Sequence, residues 1–170
     1  ETKDHINLRI KHREPFRPFG PAVLAEEAER WFEIPPAARP MLPFMLAAVR
    51  VRPGVRDRIP AVVHADGTSR LQLVGRDGSG YRRLLERFFE RTGVPMVLNT
   101  SLNVKEPIVH LPEHALRLFR DHPIEALLLD GRLVVRPEEG EAGFAPPARE
   151  RFEPADDAVG PRLALVFGNE

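Results

Sequence analysis

The first residues that could do chemistry lie near the start of the sequence. Lys11, Arg13 and Arg17 stand close together, and Pro15 and Pro18 stiffen the backbone around them. Because a stiff backbone loses less entropy when like charges are held together, an anion such as phosphate could complete a site here. The alternative is a solvated basic loop, which a bare charge run favours by about two to one.

A second polar cluster follows a short apolar run. His64 and Asp66 could be two ligands of a metal, but the sequence offers no third ligand nearby. A turn closed by the Asp66 and Thr68 side chains, with Gly67 at positive φ, explains the same residues better. Such a turn would present Arg70.

The third cluster is a polar loop that leaves an apolar run. Asn99, Thr100, Ser101 and Asn103 carry amides and hydroxyls in alternation. Ligands sit at strand ends in open α/β sheets, and these donors suit phosphate oxygens or a carbamoyl group. A turn capped by its own side chains is about equally well supported.

Several common sites are excluded. Cysteine is absent, which rules out disulfides, thiolate catalysis and cysteine-bound metals. The sequence has no nucleotide-binding glycine fingerprint, phosphate loop or nucleophile elbow. His110 and His114 are four residues apart, but Pro112 interrupts a helix across both, so we take them as surface histidines. The remaining chemistry is positioning and electrostatics on a phosphate-bearing substrate.

The elements that must position these clusters alternate between helices and strands. Ser79 as N-cap and Gly93 as C-terminal residue bound the clearest helix. Periodicity also predicts helices over 22–32 and 112–122, strands over 46–51, 61–64, 71–74 and 94–98, a charged loop over 55–60, and a hairpin of 126–129 with 133–135. The sequence therefore predicts an α/β fold with a mixed sheet and a single domain over 1–136. A flexible tail over 137–170, with a short docking strand at 163–167, follows it.

The charges balance, and arginine carries most of the positive ones. The chain has 25 Lys plus Arg against 25 Asp plus Glu, and only Lys3, Lys11 and Lys105 are lysines. We expect most arginines, including those of 81–91, to be surface cations. Position 11 carries a lysine in spite of this preference for arginine, which indicates that the first cluster needs a compact charge rather than a planar guanidinium group. No stretch is apolar enough for a membrane span, and the start without Met or signal peptide indicates part of a longer cytoplasmic protein.

Taken together, the three clusters resemble one family. Three motifs occur in this order: Lys11-x-Arg13-Glu14-x-x-Arg17-Pro18-Phe19, His64-x-Asp66-Gly67-Thr68-x-Arg70-x-Gln72, and Thr92-Gly93-Val94-Pro95…Asn99-Thr100-Ser101-x-Asn103…Glu106-Pro107-Ile108-Val109. They are similar to the C-terminal halves of the NodU/CmcH-type O-carbamoyltransferases of nodulation-factor and antibiotic biosynthesis.

The resemblance implies a YrdC-like fold, a twisted mixed α/β sheet that binds carbamoyl phosphate and ATP and forms carbamoyladenylate with Mg²⁺. It implies a separate Kae1-like N-terminal half, in the same or a partner chain, which holds iron and passes the carbamoyl group to an acceptor hydroxyl of a small molecule. Carried over by position, it assigns catalysis to Lys11, Arg17 and Arg70. The same three residues, with Arg13, Ser101 and Asn103, would bind the phosphates, supported by His64, Asp66, Thr68, Asn99 and Thr100. No residue of this chain is assigned to a metal.

Three departures from the family pattern bear on the site. Leu102 replaces a Phe, a Gly is missing between Lys105 and Glu106, and Leu111 replaces a capping Thr. We expect the missing Gly to tighten the loop and displace Asn103, and the lost cap to cost about 1 kcal/mol.

Two other functions remain open. One is an RNA- or nucleotide-binding module, in which Arg50, Arg52, Arg56 and Arg58 follow a phosphate backbone. Zero net charge and few stacking aromatics argue against nucleic acid. The other is a non-catalytic docking subunit of a carbamoyltransferase.

Overall fold

The computed structural model describes residues 2–136 and a short strand at Leu163–Ala164. The chain packs as two compact units. Unit 1 comprises Glu1–Asp4 and Glu14–Thr100, and unit 2 comprises His5–Arg13 and Ser101–Glu170. Both units contain helical segments and strands, and one sheet combines parallel with antiparallel pairs. The predicted α/β class with a mixed sheet is confirmed.

The regular elements are short. The α-helices are α1 (Thr2–His5), α2 (Gly80–Thr92) and α3 (Pro112–Asp121). The strands are β1 (Gly20–Leu24), β2 (Phe32–Glu33), β3 (Val49–Val51), β4 (Thr68–Ser69), β5 (Gln72–Val74), β6 (Met96–Asn99), β7 (Ala126–Leu129), β8 (Arg132–Val135) and β9 (Leu163–Ala164). A π-helix spans Ile6–Ile10, and 3₁₀ helices span Ala28–Arg30, Arg39–Phe44, Pro53–Arg58 and Pro60–Val62.

Strand β1 is the centre of the main sheet of unit 1. It pairs in parallel with β5 and antiparallel with β6, and all five of its residues are buried. The predicted helix over 22–32 is therefore wrong. A strand bonded on both edges satisfies its backbone groups within the sheet, and a segment buried throughout offers no polar face to a helix. Within the predicted range, Glu26 and Glu27 lie in the turn after β1, and Glu29 lies in the short 3₁₀ helix Ala28–Arg30.

Gly20 opens β1 at a close approach to the backbone of Arg70. A Cβ on Gly20 would lie 1.9 Å from the Arg70 carbonyl oxygen, so no other residue fits without movement of the backbone. The main chain of Arg70 is thus pressed against β1, although Arg70 itself is exposed.

The second sheet of unit 1 has the order β2-β3-β4 and is antiparallel throughout. The predicted strand over 46–51 shortens to β3, because the preceding 3₁₀ helix ends at Met45 in a left-handed conformation, φ 56°.

Prolines override the two predictions that follow β3. The predicted strand over 61–64 is wrong, because Pro60 opens a 3₁₀ helix there. The predicted loop over 55–60 is largely 3₁₀ helix, opened by Pro53.

Helix α2 forms where predicted. The Ser79 hydroxyl accepts a hydrogen bond from the Arg82 backbone N–H at 3.1 Å, and Gly93 ends the helix at φ 68°. The strand predicted after it over 94–98 is β6, and the one predicted over 71–74 is β5.

Arg82 contradicts the expectation that the arginines of 81–91 are surface cations. It is 3% exposed and belongs to the buried face of α2 together with Leu85. Its Nε donates to the Glu86 carboxylate at 2.8 Å, and its Nη1 donates to Glu26 and to the Val74 carbonyl at 3.0 Å each. The Nη2 group donates to Glu26 as well. This arginine is a structural crosslink of unit 1.

Unit 2 contains α3 and the sheet of order β8-β7-β9. The predicted helix over 112–122 and the predicted hairpin are confirmed as α3 and as β7 with β8. The hairpin turns at Asp130 and Gly131, both at positive φ, which matches the twist of the strands. Strand β9 pairs antiparallel with Leu128 and Leu129, and the rest of the predicted tail over 137–170 lies outside the described residues.

Within the described ranges, no helix is long and apolar enough to cross a membrane.

Candidate functional site

The end of the π-helix positions Lys11 in unit 2. The Lys11 backbone N–H donates to the Ile6 carbonyl at 2.8 Å, and the chain then reverses at His12, which adopts φ 48°. After the reversal, the Arg13 backbone N–H and Nε donate to the carbonyl and side-chain oxygens of Asn7 at 2.9 and 2.7 Å. Asn7 is fully buried, so it fixes the plane of the Arg13 guanidinium.

The ammonium group of Lys11 lies among oxygen atoms of the loop that follows β6. It donates to the backbone carbonyl of Ser101, to the Asn103 carbonyl at 2.7 Å and to Asn103 Oδ1 at 3.1 Å. The Ser101 hydroxyl lies 3.5 Å from it. Lys11, Ser101 and Asn103 form what we call the Lys11 cradle. The fold thus joins the first and third sequence clusters, which are 90 residues apart.

The cradle loop closes on Glu106. The Ser101 hydroxyl donates to Asn103 Oδ1 at 2.7 Å, and Asn103 Nδ2 donates to the Glu106 carbonyl at 2.8 Å. The Glu106 carboxylate in turn accepts hydrogen bonds from the backbone N–H groups of Val104 and Lys105 at 3.1 and 3.0 Å. Asn103 therefore lies within hydrogen-bonding distance of Lys11, and Glu106 supplies the bonds that close the loop.

Lys11 is a buried cation whose contacts are dipoles rather than carboxylates. It is 4% exposed, and its hydrogen-bond acceptors are carbonyl, amide and hydroxyl oxygens. Burial, reinforced by the positive charge of Arg13 and opposed by Glu106, lowers the pKa of Lys11 to about 8. Two neighbouring cations with so little opposing charge favour the binding of an anion.

In unit 1, the His64–Arg70 segment forms the predicted side-chain-locked turn. Asp66 Oδ1 accepts from the Thr68 backbone N–H at 2.9 Å and from the Thr68 hydroxyl at 2.7 Å, and Gly67 adopts φ 77°. These bonds to Thr68 hold the pKa of Asp66 below its usual range. His64 joins the turn through Nδ1, 3.2 Å from the Thr68 hydroxyl, and Nε2, 3.3 Å from the Phe19 carbonyl. The side chains of His64, Asp66 and Thr68 therefore all have structural roles in the turn.

The other predicted site residues of unit 1 differ in how firmly they are held. Asn99 donates to the Gln72 side chain at 2.8 Å, and the half-buried Thr100 ends the unit. Arg17 is exposed and pairs with Glu14 at 3.2 Å. Arg70 is exposed and makes no hydrogen bond or ion pair with any residue in the described ranges. The structure therefore brings together Lys11, Arg13, Ser101 and Asn103 in unit 2, while Arg17, Arg70 and their supporting residues belong to unit 1.

The sequence reasoning missed a cavity in unit 2. His110 and His114, taken as surface histidines, line a cavity of about 330 Å³, and their ring centroids are 4.7 Å apart. Arg117 and His122 line it too. The i, i+3 spacing of His114 and Arg117 on α3 was the available signal, since such residues share one helix face.

The described residues do not form a dedicated metal site. No group of three or more His, Asp or Glu side chains among them could hold a metal ion. Glu106, the carboxylate beside the cradle, already uses both oxygens to bind backbone N–H groups. A Mg²⁺ ion that accompanies ATP is usually held by substrate phosphates, water and one or two carboxylates, so it needs no such group, and we assign it no step.

Comparison of the sequence with known proteins identifies the family of this chain. The family described as "Carbamoyltransferase C-terminus" matches residues 1–136, and the chain belongs to it. The chain is 42% identical over 135 residues to nodulation protein NolNO of Sinorhizobium fredii, a match that covers 78% of this chain and 20% of that protein. It is 41% identical over 136 residues to nodulation protein NolO of Bradyrhizobium diazoefficiens, covering 79% of this chain and 25% of that protein.

A match to another nodulation protein covers fewer residues at a similar identity. Nodulation protein U of Bradyrhizobium diazoefficiens is 42% identical over 105 residues, which cover 61% of this chain and 18% of that protein. The chain thus spans a fifth to a quarter of the NolNO and NolO proteins. It is homologous to the C-terminal portion of carbamoyltransferases.

Proposed function

We propose that this chain is the carbamoyladenylate-forming part of an O-carbamoyltransferase and that it uses carbamoyl phosphate and ATP. The observation that carries the proposal is the Lys11 cradle, in which a buried cation meets Ser101 and Asn103 across 90 residues of sequence. Family membership supports transfer of a carbamoyl group. The acceptor, a small-molecule hydroxyl, would be bound by a Kae1-like, iron-holding N-terminal half outside this sequence.

The proposed reaction needs no covalent bond to the protein. Carbamoyl phosphate loses its phosphate to water and leaves carbamate. A carbamate oxygen then attacks the α-phosphorus of ATP, the bond to the β,γ-phosphates breaks, and pyrophosphate leaves with the electron pair. Catalysis of this kind depends on holding the two anions together and on stabilising their charge.

The residues of unit 2 supply these functions in the proposal. Lys11 and Arg13 place two positive charges beside the cradle, and the fixed guanidinium of Arg13 suits a planar contact with phosphate. The Ser101 hydroxyl and the Asn103 amide would exchange their mutual hydrogen bonds for bonds to substrate oxygens. The proposal keeps Arg17 and Arg70 as phosphate ligands on the basis of their motifs and their exposed guanidinium groups.

The geometry argues against the RNA-binding alternative. Three of the four arginines proposed to follow a nucleic acid are engaged in unit 1 itself. Arg52 donates to the Glu29 carbonyl at 2.8 Å, Arg56 to the Val51 carbonyl at 3.2 Å and Arg58 to the Gly93 carbonyl at 3.0 Å.

The decisive assay is ATP–pyrophosphate exchange with the chain, measured with and without carbamoyl phosphate. The proposal expects exchange only when carbamoyl phosphate is present, and its loss in Arg13→Gln but not in the control Lys105→Met. A folded chain that binds neither ligand by calorimetry would refute the proposal. If the chain binds both ATP and carbamoyl phosphate but catalyses no exchange, the docking-subunit alternative is favoured. If it binds only tRNA, with an affinity that falls as salt rises, the RNA-binding alternative is favoured.

A further inference from the structure

The cavity of unit 2 is not used by the proposed reaction. At about 330 Å³ it is within the range of small-molecule sites. One part of its wall is apolar, with Pro107, Ile108, Val109 and Leu118, and the remainder is formed by charged or imidazole side chains. An apolar wall with a few convergent polar groups is the usual composition of a binding site for a small molecule.

The two carboxylates of the cavity are already occupied. Both oxygens of Glu106 accept backbone N–H groups, as described above. Asp121 accepts two hydrogen bonds from Arg120, at 2.6 and 3.2 Å, and these hold the pKa of its carboxyl below the usual range. A ligand cation or hydroxyl would therefore compete with existing bonds for either carboxylate.

The remaining polar side chains of the cavity can all donate hydrogen bonds. His110, His114 and His122 contribute three imidazole rings, and Arg117 contributes a guanidinium group. Within the described ranges, none of these four side chains makes a hydrogen bond. The pKa of Glu106 is lowered mainly by hydrogen bonds from backbone N–H groups, and that of Asp121 mainly by Arg120, with a smaller contribution from the charge of Arg117.

We infer that this cavity binds the oxyanion group of a small organic molecule, a phosphate ester or a carboxylate, with Arg117 and the three histidines as its ligands. Arg117 offers the planar fork that phosphate and carboxylate both fit, and the imidazole rings add single N–H donors. The apolar wall of Pro107, Ile108 and Val109 would cover the carbon part of the same molecule. Glu106 borders both places, but none of the four proposed ligands belongs to the Lys11 cradle, and the inference does not depend on the proposed adenylation.

The test uses inorganic phosphate and acetate as probes at constant pH and ionic strength. Both are titrated into the chain while the ring C–H signals of its six histidines are followed by NMR. The expected result is a saturable shift of the His110, His114 and His122 signals with one probe or both. Saturation by phosphate alone identifies a phosphate ester as the ligand class, and saturation by acetate alone identifies a carboxylate.

Two variants and a control make the test specific. Arg117→Gln, at an exposed position, should weaken binding of the effective probe about tenfold or more, whereas the exposed Arg132→Gln should not change it. In Arg13→Gln, which damages the proposed adenylation site, the three histidine signals should still shift. Absence of saturable shifts, equal affinity in Arg117→Gln, or loss of the shifts in Arg13→Gln would each overturn the inference.

Discussion

Among the described residues, each unit buries one cationic side chain, and the two are stabilised in opposite ways. Arg82 of unit 1 meets two carboxylates and a carbonyl, and its hydrogen bond lowers the pKa of Glu26 to about 2 while Glu26 raises that of Arg82. Lys11 of unit 2 meets only neutral oxygens, and its pKa falls to about 8. Removal of a compensated cation leaves its partner charges unpaired and destabilises the fold, whereas an uncompensated cation favours the binding of an anion.

The two units also differ in how far their other polar side chains are hydrogen-bonded within the protein. In unit 1, the Asp66–Thr68 turn, the Ser79 cap and the Arg82 crosslink all satisfy polar groups internally. In unit 2, the cavity leaves four cationic or imidazole side chains without hydrogen bonds in the described ranges, and Leu111 gives α3 no side-chain cap. Unit 2 is therefore where we expect ligands to act most directly.

The strongest test of this contrast removes the compensated cation. Arg82→Met should lower the free energy of unfolding by about 3 kcal/mol, because Glu26, Glu86 and the Val74 carbonyl lose their shared donor. The value is at the low end for a buried pair, since both carboxylates are partly exposed and can take up water. Urea unfolding followed by circular dichroism measures it.

The matched control for Arg82 lies on the same helix. Arg87 forms an exposed pair with Glu90, and Arg87→Met should change the free energy of unfolding by less than about 0.5 kcal/mol. Equal losses in both variants would show that Arg82 is not a crosslink.

Removal of the Lys11 ammonium group should weaken ligand binding. Lys11→Met keeps the length of the side chain, and we expect it to weaken carbamoyl phosphate binding by about 1.5–3 kcal/mol, as for a hydrogen bond to a charged group. Calorimetry measures the affinity, with the exposed Lys105→Met as the control. Unchanged affinity in Lys11→Met would remove Lys11 from the site.

The third test measures the charge of Lys11 directly. The chain has only three lysines, so the side-chain NMR signal of Lys11 is identified by its loss in Lys11→Met. The signal should titrate near pH 8 rather than 10.5, and carbamoyl phosphate should move that midpoint upward. Affinity for the ligand should therefore fall as the pH rises through about 8.

The lowered pKa of Lys11 also links pH to stability. Between pH 8 and 10.5 the unfolded chain holds more protons at Lys11 than the folded chain does, so this residue's contribution to the free energy of unfolding rises with pH. Urea midpoints of wild type and Lys11→Met across this window report it. A Lys11 signal that titrates only at the ordinary 10.5 would contradict both expectations.

The smallest effect comes from the uncapped helix. Leu111 has the extended backbone of an N-cap, φ −125° and ψ 149°, but no side-chain cap bond in the described residues. Leu111→Ser should raise the free energy of unfolding by about 0.5–1 kcal/mol. Leu116→Ser, an equally exposed leucine inside the same helix, should give no such gain in thermal unfolding. A gain from both would point to lower surface hydrophobicity rather than capping.

Local signals in the sequence were sufficient to predict the elements whose ends are marked by capping or turn residues. Helix α2 follows from Ser79, Gly93 and the spacing of its apolar residues, and the β7–β8 hairpin follows from Asp130-Gly131. Strand β1 could not be found in this way, because its conformation is decided by partners about fifty and seventy-five residues away in the sequence.

The features of the candidate site also divide into those that local sequence signals predict and those that only the folded chain shows. The polar motifs name Lys11, Ser101 and Asn103, but the burial of Lys11 and the backbone carbonyls around its ammonium group depend on the folded chain. Arg82 could have been recognised, since it lies three residues before Leu85 on the buried face and four before Glu86. The cavity of unit 2 could be recognised only in part, because His114 and Arg117 share one face of α3 whereas Pro107, His110 and His122 come from separate turns of the chain.

The close approach of Gly20 to Arg70 has a consequence for how such a sequence can vary. A side chain at position 20 would have to push aside the carbonyl of the residue whose guanidinium we propose as a phosphate ligand. Among random variants, any side chain at position 20 should therefore disrupt the local fold, whatever its size. Changes that adjust the reach of Arg70 must therefore arise at positions other than 20.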